Sequence, residues 1–377
     1  MVAYADFHRR SIEDRDAFWS EQAKLVDWET PPQQICDYSN PPFAKWFVGG
    51  KTNICHNAVD RHLKDRADQA ALIFVSTETN QEHTYTFREL HAEVQRMAAI
   101  LKDLGVTKGD RVLIYMPMIA EAAFAMLACA RLGAIHSVVF GGFASHSLAT
   151  RIEDASPKVI ISADAGSRGG KGVPYKPLLD EAIKLSAHKP AHVIMVDRKL
   201  AAFTPVAGRD VDYATERAKH MDAVVPCEWV ESTHPSYTLY TSGTTGDPKG
   251  VLYSHRSNFL HGLCSLMPDV LGFSRRDVVL AIVPMFHVMS WGLPYAAMMA
   301  GLTLVMPDRF LQPEPLLAMM AAARPTFAAA VPTIWQGVAA QLKAAPQDIS
   351  HLREVVVGGA AVPPSMIKQF DEFGAPI

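Results

Sequence analysis

Residues 241–250 of the chain, TSGTTGDPKG, hold three glycines, four hydroxyl side chains and one lysine. Backbone N–H groups that glycine leaves free to turn, hydroxyl donors and an ammonium group are the means by which proteins surround a phosphate. Composition alone leaves a second interpretation open, an ordinary surface turn, because Gly, Ser, Thr, Asp and Pro are common turn residues. The candidate phosphate contacts are Thr241, Ser242, Gly243, Thr244, Thr245, Gly246 and Lys249.

This loop differs from the Walker A phosphate loop. That pattern needs a lysine directly after a glycine, whereas Lys249 follows a proline and is itself followed by Gly250. A second segment, GGKT at 49–52, resembles the end of the pattern, but Lys45 stands where its first glycine belongs. Both segments are therefore excluded from the Walker A class.

The elements that must position the loop alternate between strand and helix signals. YTLY (237–240) is typical of a strand and directly precedes the loop, and open α/β sheets bind ligands at strand ends. Thr86 and Glu89 form a capping box, after which apolar residues recur at helical spacing as far as Gly105. The other predicted elements are a buried strand over 111–118, a helix over 119–132, and strands at 135–140, 158–162, 192–196, 278–283, 302–306 and 353–357.

Because most of these strands are separated by helix-length segments, the pattern predicts a layered α/β fold with mostly parallel sheets flanked by helices. Residues 164–176 and 198–236 are richer in Gly, Pro and charge, and are the predicted loops or subdomain boundaries.

Composition narrows the function classes. The 377 residues include 49% apolar and 20% charged residues, with 36 basic against 39 acidic side chains and a net charge of -3, which argues against a nucleic-acid-binding protein. Five cysteines lack metal-ligand or disulfide-framework spacing. The charged N-terminus is unlike a signal peptide, and no run of about 18 apolar residues occurs, so a cytoplasmic protein without a transmembrane segment is expected.

The sequence YTSGTTGDPKGV resembles the signature loop of the adenylate-forming superfamily, which includes acyl-CoA synthetases. The resemblance implies that residues 241–249 hold the β- and γ-phosphates of ATP while a carboxylate attacks the α-phosphate. Residues 4–250 resemble propionyl-CoA synthetase and its acetyl-CoA synthetase relatives, in segments such as YADFHRRSIEDRDAFW and SADAGSRGGKGVPYKPLLDEA. Residues 251–377 resemble medium- and long-chain fatty acyl-CoA ligases, in GVLYSHRSN, AAVPTIWQG and VVVGGAAVP. A gene joined at the loop is one hypothesis, and a natural family member with an unusual second half is the other.

The resemblance also assigns CoA contacts. Arg168 and Lys171, in SRGGK, match two basic residues that bind the 3′-phosphate of CoA in acetyl-CoA synthetases. The second is usually arginine there, and Lys171 offers charge without a bidentate fork. Apart from the resemblance, a solvated basic loop is the alternative interpretation.

The acyl and adenine sites are assigned by resemblance to the second half of the chain. His287 matches a histidine that borders the acyl site in the fatty acyl branch, with a hydrogen-bonded core histidine as the alternative. Trp291, Gly292, the small residues of YAAMMAG and residues 328–331 are implied to shape the acyl pocket. Gly359, Ala360 and Ala361 correspond to the loop that packs against adenine, and equally suit a tight strand-to-helix turn.

The family's reaction is implied for the whole chain. An acid–thiol ligase of this kind converts a carboxylic acid and MgATP to acyl-AMP and pyrophosphate, and CoA then displaces AMP. The expected partners are therefore a carboxylic acid, ATP with Mg²⁺, and CoA, and no metal ligand of the protein is assigned. The first half implies propionate or another short-chain acid, and the second half implies a fatty acid.

The resemblance divides the chain into an acetyl- and propionyl-CoA synthetase-type N-terminal segment, residues 1–60, and an AMP-binding core, residues 61–377. The family's aromatic-Gly-x-Thr-Glu motif, its ribose-binding Asp, its hinge and the catalytic Lys of its mobile C-terminal domain are not found in these residues. We therefore expect an incomplete adenylate-forming N-terminal domain with little turnover. A non-catalytic nucleotide-binding or interaction protein is the alternative class.

Overall fold

A computed structural model describes residues 4–76, 78–141, 143–168, 171–240, 249–267, 270–285, 287, 290, 292–308 and 312–377, with the backbone only of Phe140, Ser167, Arg168 and Lys171. In these parts of the chain the α-helices are α1 (Tyr4–Glu13), α2 (Arg15–Gln22), α3 (Ile54–Ala58), α4 (Leu63–Arg66), α5 (Phe87–Asp103), α6 (Ala120–Arg131), α7 (Ser145–Ala155), α8 (Tyr175–Leu185), α9 (Tyr213–Lys219), α10 (His255–Leu266), α11 (Leu293–Ala300), α12 (Pro313–Ala323), α13 (Pro332–Ala344) and α14 (Pro364–Glu372).

The strands are β1 (Gln34–Asn40), β2 (Phe43–Val48), β3 (Lys51–Thr52), β4 (Ala70–Ser76), β5 (Gln81–Thr86), β6 (Arg111–Met116), β7 (Ile135–Phe140), β8 (Val159–Ala163), β9 (Ala165–Arg168), β10 (Lys171–Pro174), β11 (His192–Val196), β12 (Asp210–Asp212), β13 (Val230–Glu231), β14 (Pro235–Tyr240), β15 (Gly250–Ser254), β16 (Val278–Leu280), β17 (Thr303–Met306), β18 (Phe327–Ala330) and β19 (Glu354–Val357).

Two large sheets form the centre of the fold. The first has seven strands in the order β12-β11-β8-β6-β7-β14-β15, and every neighbouring pair is parallel except β14 with β15. The second has six strands in the order β19-β18-β16-β17-β4-β5, and only the pair β4 with β5 is antiparallel. The predicted α/β architecture with mostly parallel sheets and flanking helices is confirmed.

The capping box predicted at Thr86 starts the longest helix, α5. The Glu89 backbone N–H donates to Thr86 Oγ1 at 3.2 Å, and the Thr86 backbone N–H donates to Glu89 Oε2 at 2.8 Å. Gly105, with φ of +79°, follows the helix, because a left-handed residue ends the helical path at little cost for glycine. Helix α5 packs against α6, which is buried along nearly its whole length.

Some elements differ from the sequence-based expectations. Residues 164–176, predicted as a loop, contain the antiparallel hairpin of β9 and β10. The predicted strand 278–283 is shorter, since β16 ends at Leu280. Strand β18, with the sequence FAAA, was not predicted, because alanine favours strands poorly and burial between parallel neighbours decides its conformation.

The N-terminal segment packs onto the core through short elements, and its helix α3 contacts both α6 and α11. Strands β1 and β2 form an antiparallel hairpin, and the ring of Trp19 on α2 meets that of Trp46 on β2 edge-to-face at 5.6 Å. Strand β3 pairs with β13, where Thr52 lies opposite Val230. A membrane-spanning helix is not found anywhere among the described residues.

Candidate active site

The predicted phosphate loop follows β14 and precedes β15, which is the last strand at one side of the seven-stranded sheet. Tyr240, the last residue of β14, pairs with Gly250, the first residue of β15, so the two ends of the loop are adjacent. Because β14 runs parallel to β7, the loop leaves the sheet at the edge where the parallel strands have their carboxyl ends. Thr241, Ser242, Gly243, Thr244, Thr245 and Gly246 lie outside the described residues, and Lys249 is exposed.

Two side chains, those of Asp154 and Arg151, contact Tyr240, the strand residue directly before this loop. The Tyr240 hydroxyl donates to Asp154 Oδ2 at 2.6 Å. The buried guanidinium of Arg151 lies 5.3 Å from the centre of the Tyr240 ring and 4.5 Å from that of Phe143. Burial lowers the pKa of Arg151, and the nearby Tyr240 opposes that shift. Tyr240, the last residue before the loop, is therefore held by a hydrogen bond to a carboxylate and by the contact of its ring with a guanidinium.

The predicted CoA contacts lie in the hairpin of β9 and β10, which follows the carboxyl end of β8. Arg168 and Lys171 are direct partners across β9 and β10. The ring of Tyr175 packs beneath the hairpin, and its hydroxyl donates to the Gly141 carbonyl at 2.6 Å. A Cβ atom on Gly166 would lie 2.0 Å from the Tyr175 oxygen, so glycine is required there. A cavity of about 230 Å³ adjoins the hairpin and includes Gly166 in its wall.

An apolar cavity of about 160 Å³ lies between α10, α11 and the six-stranded sheet. Its lining includes Gly292 and Ala296, which were predicted for the acyl pocket, and Ala329 from the predicted range 328–331. Ala328 and Ala330 instead pack into the neighbouring core, because successive side chains of β18 point to opposite faces. The other lining residues are His261, Ser265, Leu271, Phe273, Leu293, Phe327 and Val356.

His261 lies at the exposed end of this acyl cavity and covers Gly292. A Cβ atom on Gly292 would lie 2.5 Å from both Cδ2 and Nε2 of the His261 ring. The imidazole thus occupies the space that any larger residue at 292 would need. Sequence reasoning missed His261 and Ser265, although their i, i+4 spacing on a helix places them on one face.

The structure does not decide whether His287 and Trp291, the other two side chains proposed for the acyl pocket, line it. His287 is half-buried, and its backbone N–H donates to the Pro284 carbonyl at 2.9 Å in a turn. Neither this contact nor the cavity lining assigns its ring to the acyl site, so that role stays a prediction. Trp291 lies outside the described residues.

The predicted adenine loop forms an exposed turn between β19 and α14. Gly359 has φ of +89°, and a Cβ atom there would lie 3.3 Å from Val331 Cγ1, so the left-handed backbone favours glycine. Ala360 and Ala361 are exposed. Val356 lies on β19, three residues before Gly359, and lines the acyl cavity. The turn therefore follows a strand that forms part of the cavity wall.

A larger cavity of about 520 Å³ lies beside β11 and β12. Strand β12 is the outer strand on the opposite side of the seven-stranded sheet from β15. The described residues that line it include Met195, Phe203 and Asp210, and none of them is a predicted site residue. Size alone therefore does not locate the site in this molecule.

Two mostly parallel sheets with flanking helices define a layered α/β protein, and open sheets of this kind bind ligands at the carboxyl ends of their strands. The family model for the AMP-binding enzyme matches residues 59–377, and the model for the acetyl-coenzyme A synthetase N-terminus matches residues 4–58. The chain belongs to the AMP-binding enzyme family. The predicted membership of the adenylate-forming acyl-CoA synthetases is confirmed.

The curated relatives include two propionate–CoA ligases. The one from Escherichia coli (strain K12) is 52% identical over 305 residues, which are 81% of this chain and 48% of the relative. The one from Salmonella typhimurium is 59% identical over 250 residues, 66% of this chain and 40% of the relative. The chain therefore spans less than half the length of either relative.

The Escherichia coli match also bears on the second half of the chain. A match of 305 residues cannot end before residue 305, so it extends past residue 250. The resemblance of residues 251–377 to fatty acyl-CoA ligases stays a prediction.

Among solved structures, an acetoacetyl-CoA synthetase from Streptomyces lividans superposes with a TM-score of 0.87 at 26% sequence identity. The superposition covers 100% of this chain and 58% of that structure. The likeness therefore extends over both sheets and the N-terminal segment.

Proposed function

We propose that the chain binds ATP and a short-chain carboxylic acid side by side and serves the reaction of an AMP-forming acyl-CoA synthetase. In that reaction a carboxylate oxygen attacks the α-phosphorus of ATP, and pyrophosphate leaves. The sulfur of CoA then attacks the acyl carbonyl, and AMP leaves. The observation that carries the proposal is the position of the apolar cavity, whose wall includes Val356 on the strand that leads into the turn at Gly359.

The cavity volume supports a small acyl group. An engineered protein cavity of about 150 Å³ holds one benzene molecule, which has six carbon atoms. The cavity here has about 160 Å³ and a mostly apolar lining, with His261 at its exposed end. The substrate class we propose is therefore a monocarboxylic acid with up to about six carbon atoms. The 59% and 52% identity to propionate–CoA ligases supports the same size class.

The nucleotide contacts are proposed from the loop and the turn. Residues 241–249 would surround the β- and γ-phosphates, with Lys249 as a point charge and Mg²⁺ entering with ATP as part of the substrate. Gly359, Ala360 and Ala361 would pack against adenine. Their exposure beside the acyl cavity supports this role, because a ligand surface must be open before the ligand binds.

CoA would approach through the hairpin of β9 and β10. Arg168 and Lys171, at its tip, would bind the 3′-phosphate, and the adjoining cavity of about 230 Å³ offers room for a further part of CoA. We also propose residues 1–60 as an N-terminal segment and residues 61–377 as the AMP-binding core. The match of separate family models to residues 4–58 and 59–377 supports this division.

Calorimetric titration with MgATP tests the nucleotide site without depending on turnover. We expect one saturable site and an affinity roughly 10- to 150-fold lower in Lys249→Ala, since a charge-assisted contact contributes about 1.5–3 kcal/mol. Lys343→Ala is the matched control, because Lys343 is exposed near the end of α13, a helix that runs back from the carboxyl edge of the sheet. Unchanged affinity in Lys249→Ala, or no binding of MgATP, would contradict the proposal.

A further inference from the structure

Two cysteines that are distant in sequence meet where the N-terminal segment joins the core. Cys55 lies on α3, and Cys227 lies shortly before β13. Their sulfur atoms and a carboxylate oxygen of Asp60 all lie within 4.8 Å of one another. Cys55 is fully buried, whereas Cys227 is partly exposed. Cys227 is therefore the thiol that a small molecule from solvent reaches first.

The arrangement around these thiols does not favour a metal ion. Arg131 donates from Nη1 and Nη2 to both oxygens of Asp60, at 2.8 and 2.9 Å, and from Nη1 to the Cys55 sulfur at 3.7 Å. His91 Nε2 lies 3.4 Å from the same carboxylate. A metal cation would have to displace a buried guanidinium from its bidentate partner, which is costly. Metal binding is therefore disfavoured, and the reactive groups of this cluster are the thiols of Cys55 and Cys227.

The backbone on either side of the two cysteines is already joined. The Asn53 side-chain amide donates to the Glu228 carbonyl and to the Ala130 carbonyl, each at 2.8 Å. The bond to Glu228 connects the residue two before Cys55 with the residue one after Cys227. It keeps the two chain segments together while the sulfurs approach the bonded distance of about 2.05 Å.

We infer that Cys55 and Cys227 are a redox-sensitive pair that forms a disulfide when the chain meets hydrogen peroxide. In the first step the Cys227 thiolate attacks one oxygen of hydrogen peroxide, the O–O bond breaks, the proton released by the thiol passes to the leaving hydroxide, and a sulfenic acid and water form. The hydrogen bond with Cys55 and burial raise the pKa of the Cys227 thiol, so this step draws on a small thiolate fraction and is slow. In the second step the Cys55 sulfur attacks the Cys227 sulfur, its proton passes to the leaving hydroxyl, and a second water departs. The two thiols lose two electrons, and the peroxide gains them.

The disulfide would join two regions that match different family models. Cys55 falls within residues 4–58 and Cys227 within residues 59–377. A cross-link between them closes a long loop and restricts the unfolded chain, so the oxidised protein unfolds at a higher temperature than the reduced protein. Oxidation would thus fasten the N-terminal segment to the core, independently of the function proposed above.

Peptide mapping of the unaltered chain tests this inference. The reduced protein is treated with hydrogen peroxide, blocked with an alkylating reagent and digested without reductant. We expect a peptide pair linked through Cys55 and Cys227, two fewer alkylated thiols, and a higher melting temperature that dithiothreitol reverses. Cys227→Ser should lose the link and the temperature shift, whereas Cys264→Ser should keep both.

Three results would overturn the inference. The first is an oxidised chain in which Cys55 and Cys227 both remain alkylated. The second is a linked peptide that involves Cys36, Cys129 or Cys264 instead. The third is a stoichiometric zinc ion in the purified protein that Cys227→Ser removes, since that would make the pair a metal site.

Discussion

Arg198 and Asp308 form a buried ion pair across the two sheets, with Arg198 Nη2 at 2.5 Å from Asp308 Oδ2. Arg198 follows β11 of the seven-stranded sheet, and Asp308 follows β17 of the six-stranded sheet. Ser76, at the end of β4, donates its hydroxyl to the same oxygen of Asp308 at 2.6 Å. The pair therefore joins the carboxyl edges of both sheets, which are the edges that carry the predicted ligand loops.

Removal of the arginine should be costly for stability. Burial raises the pKa of Asp308, and Arg198 opposes that shift. Arg198 Nη1 also lies 3.1 Å from Oε2 of Glu78, whose side chain is only 4% exposed, so Arg198→Met leaves two desolvated carboxyl groups without this counter-ion. We expect a loss of about 3–5 kcal/mol in the free energy of unfolding at neutral pH, measured by urea denaturation.

An exposed ion pair provides the control for this variant. Arg88 and Asp68 form an ion pair of 3.1 Å with side chains 65% and 84% exposed, so Arg88→Met should cost less than about 1 kcal/mol. Equal losses in the two variants would show that the buried pair does not hold the two sheets together.

The contact between His261 and Gly292 gives a second prediction. Gly292→Ala places a methyl group 2.5 Å from ring atoms of His261, so the exposed ring must turn away, and we expect a loss of about 0.5–1.5 kcal/mol in the free energy of unfolding. The double variant with His261→Ala should recover most of this loss, because the clashing ring is gone. Urea denaturation of the single and double variants measures the coupling.

A neighbouring glycine separates overpacking from the general effect of alanine. A Cβ atom on Gly262, in the same helix as His261, would lie 3.2 Å from the flexible sulfur of Met299. Gly262→Ala should be nearly neutral in its effect on the free energy of unfolding. Alanine favours helix formation by about 1 kcal/mol over glycine, and this gain offsets the small cost of moving the Met299 side chain. If Gly292→Ala were as mild as Gly262→Ala, His261 would not close the cavity as described.

Three buried histidines predict a loss of stability in mild acid. Burial lowers the pKa of His62 to about 4 and those of His136 and His255 to about 3. In the unfolded chain a histidine has a pKa of about 6.5, so below that pH the unfolded state binds protons that the folded state does not. The free energy of unfolding does not depend on these histidines above about pH 6.5. Below that pH it falls by roughly 1.4 kcal/mol per histidine and pH unit, until the pH reaches the folded-state pKa of each histidine.

His62→Gln tests one part of this pH dependence. Glutamine can still donate to the Met298 carbonyl, which lies 2.6 Å from His62 Nε2, but does not titrate. The drop in unfolding free energy between pH 7 and pH 4.5 should be smaller in this variant than in the unaltered chain. His146→Gln, at an exposed position on α7, should leave the drop unchanged. An identical drop in both variants would contradict the assignment.

Local patterns were sufficient for much of the fold. The capping box at Thr86 located α5, and apolar runs located β6, β7, β8 and β11, because strands buried on both faces need continuous apolar side chains. The glycine and hydroxyl content of residues 241–250 drew attention to a loop that does leave the carboxyl end of a strand. These features depend on residues close together in the chain.

The features that could not be predicted depend on residues far apart. Arg198 and Asp308 are separated by 110 positions, and neither neighbourhood carries a local signal of the other. His261 and Phe327 line one cavity only because α10 packs over β18, which tertiary packing decides. The contact of Cys55 with Cys227 is of the same kind, since their spacing matches no known motif.

The central claim is that one site holds AMP and a short acyl group side by side, and the propyl ester of AMP, which imitates propionyl-AMP, tests it most directly. Calorimetric titration should show one saturable site that binds the ester at least about tenfold more tightly than AMP, because each buried CH₂ contributes about 0.8 kcal/mol. Equal affinity for AMP and its propyl ester, or no saturable binding of either, would contradict the account.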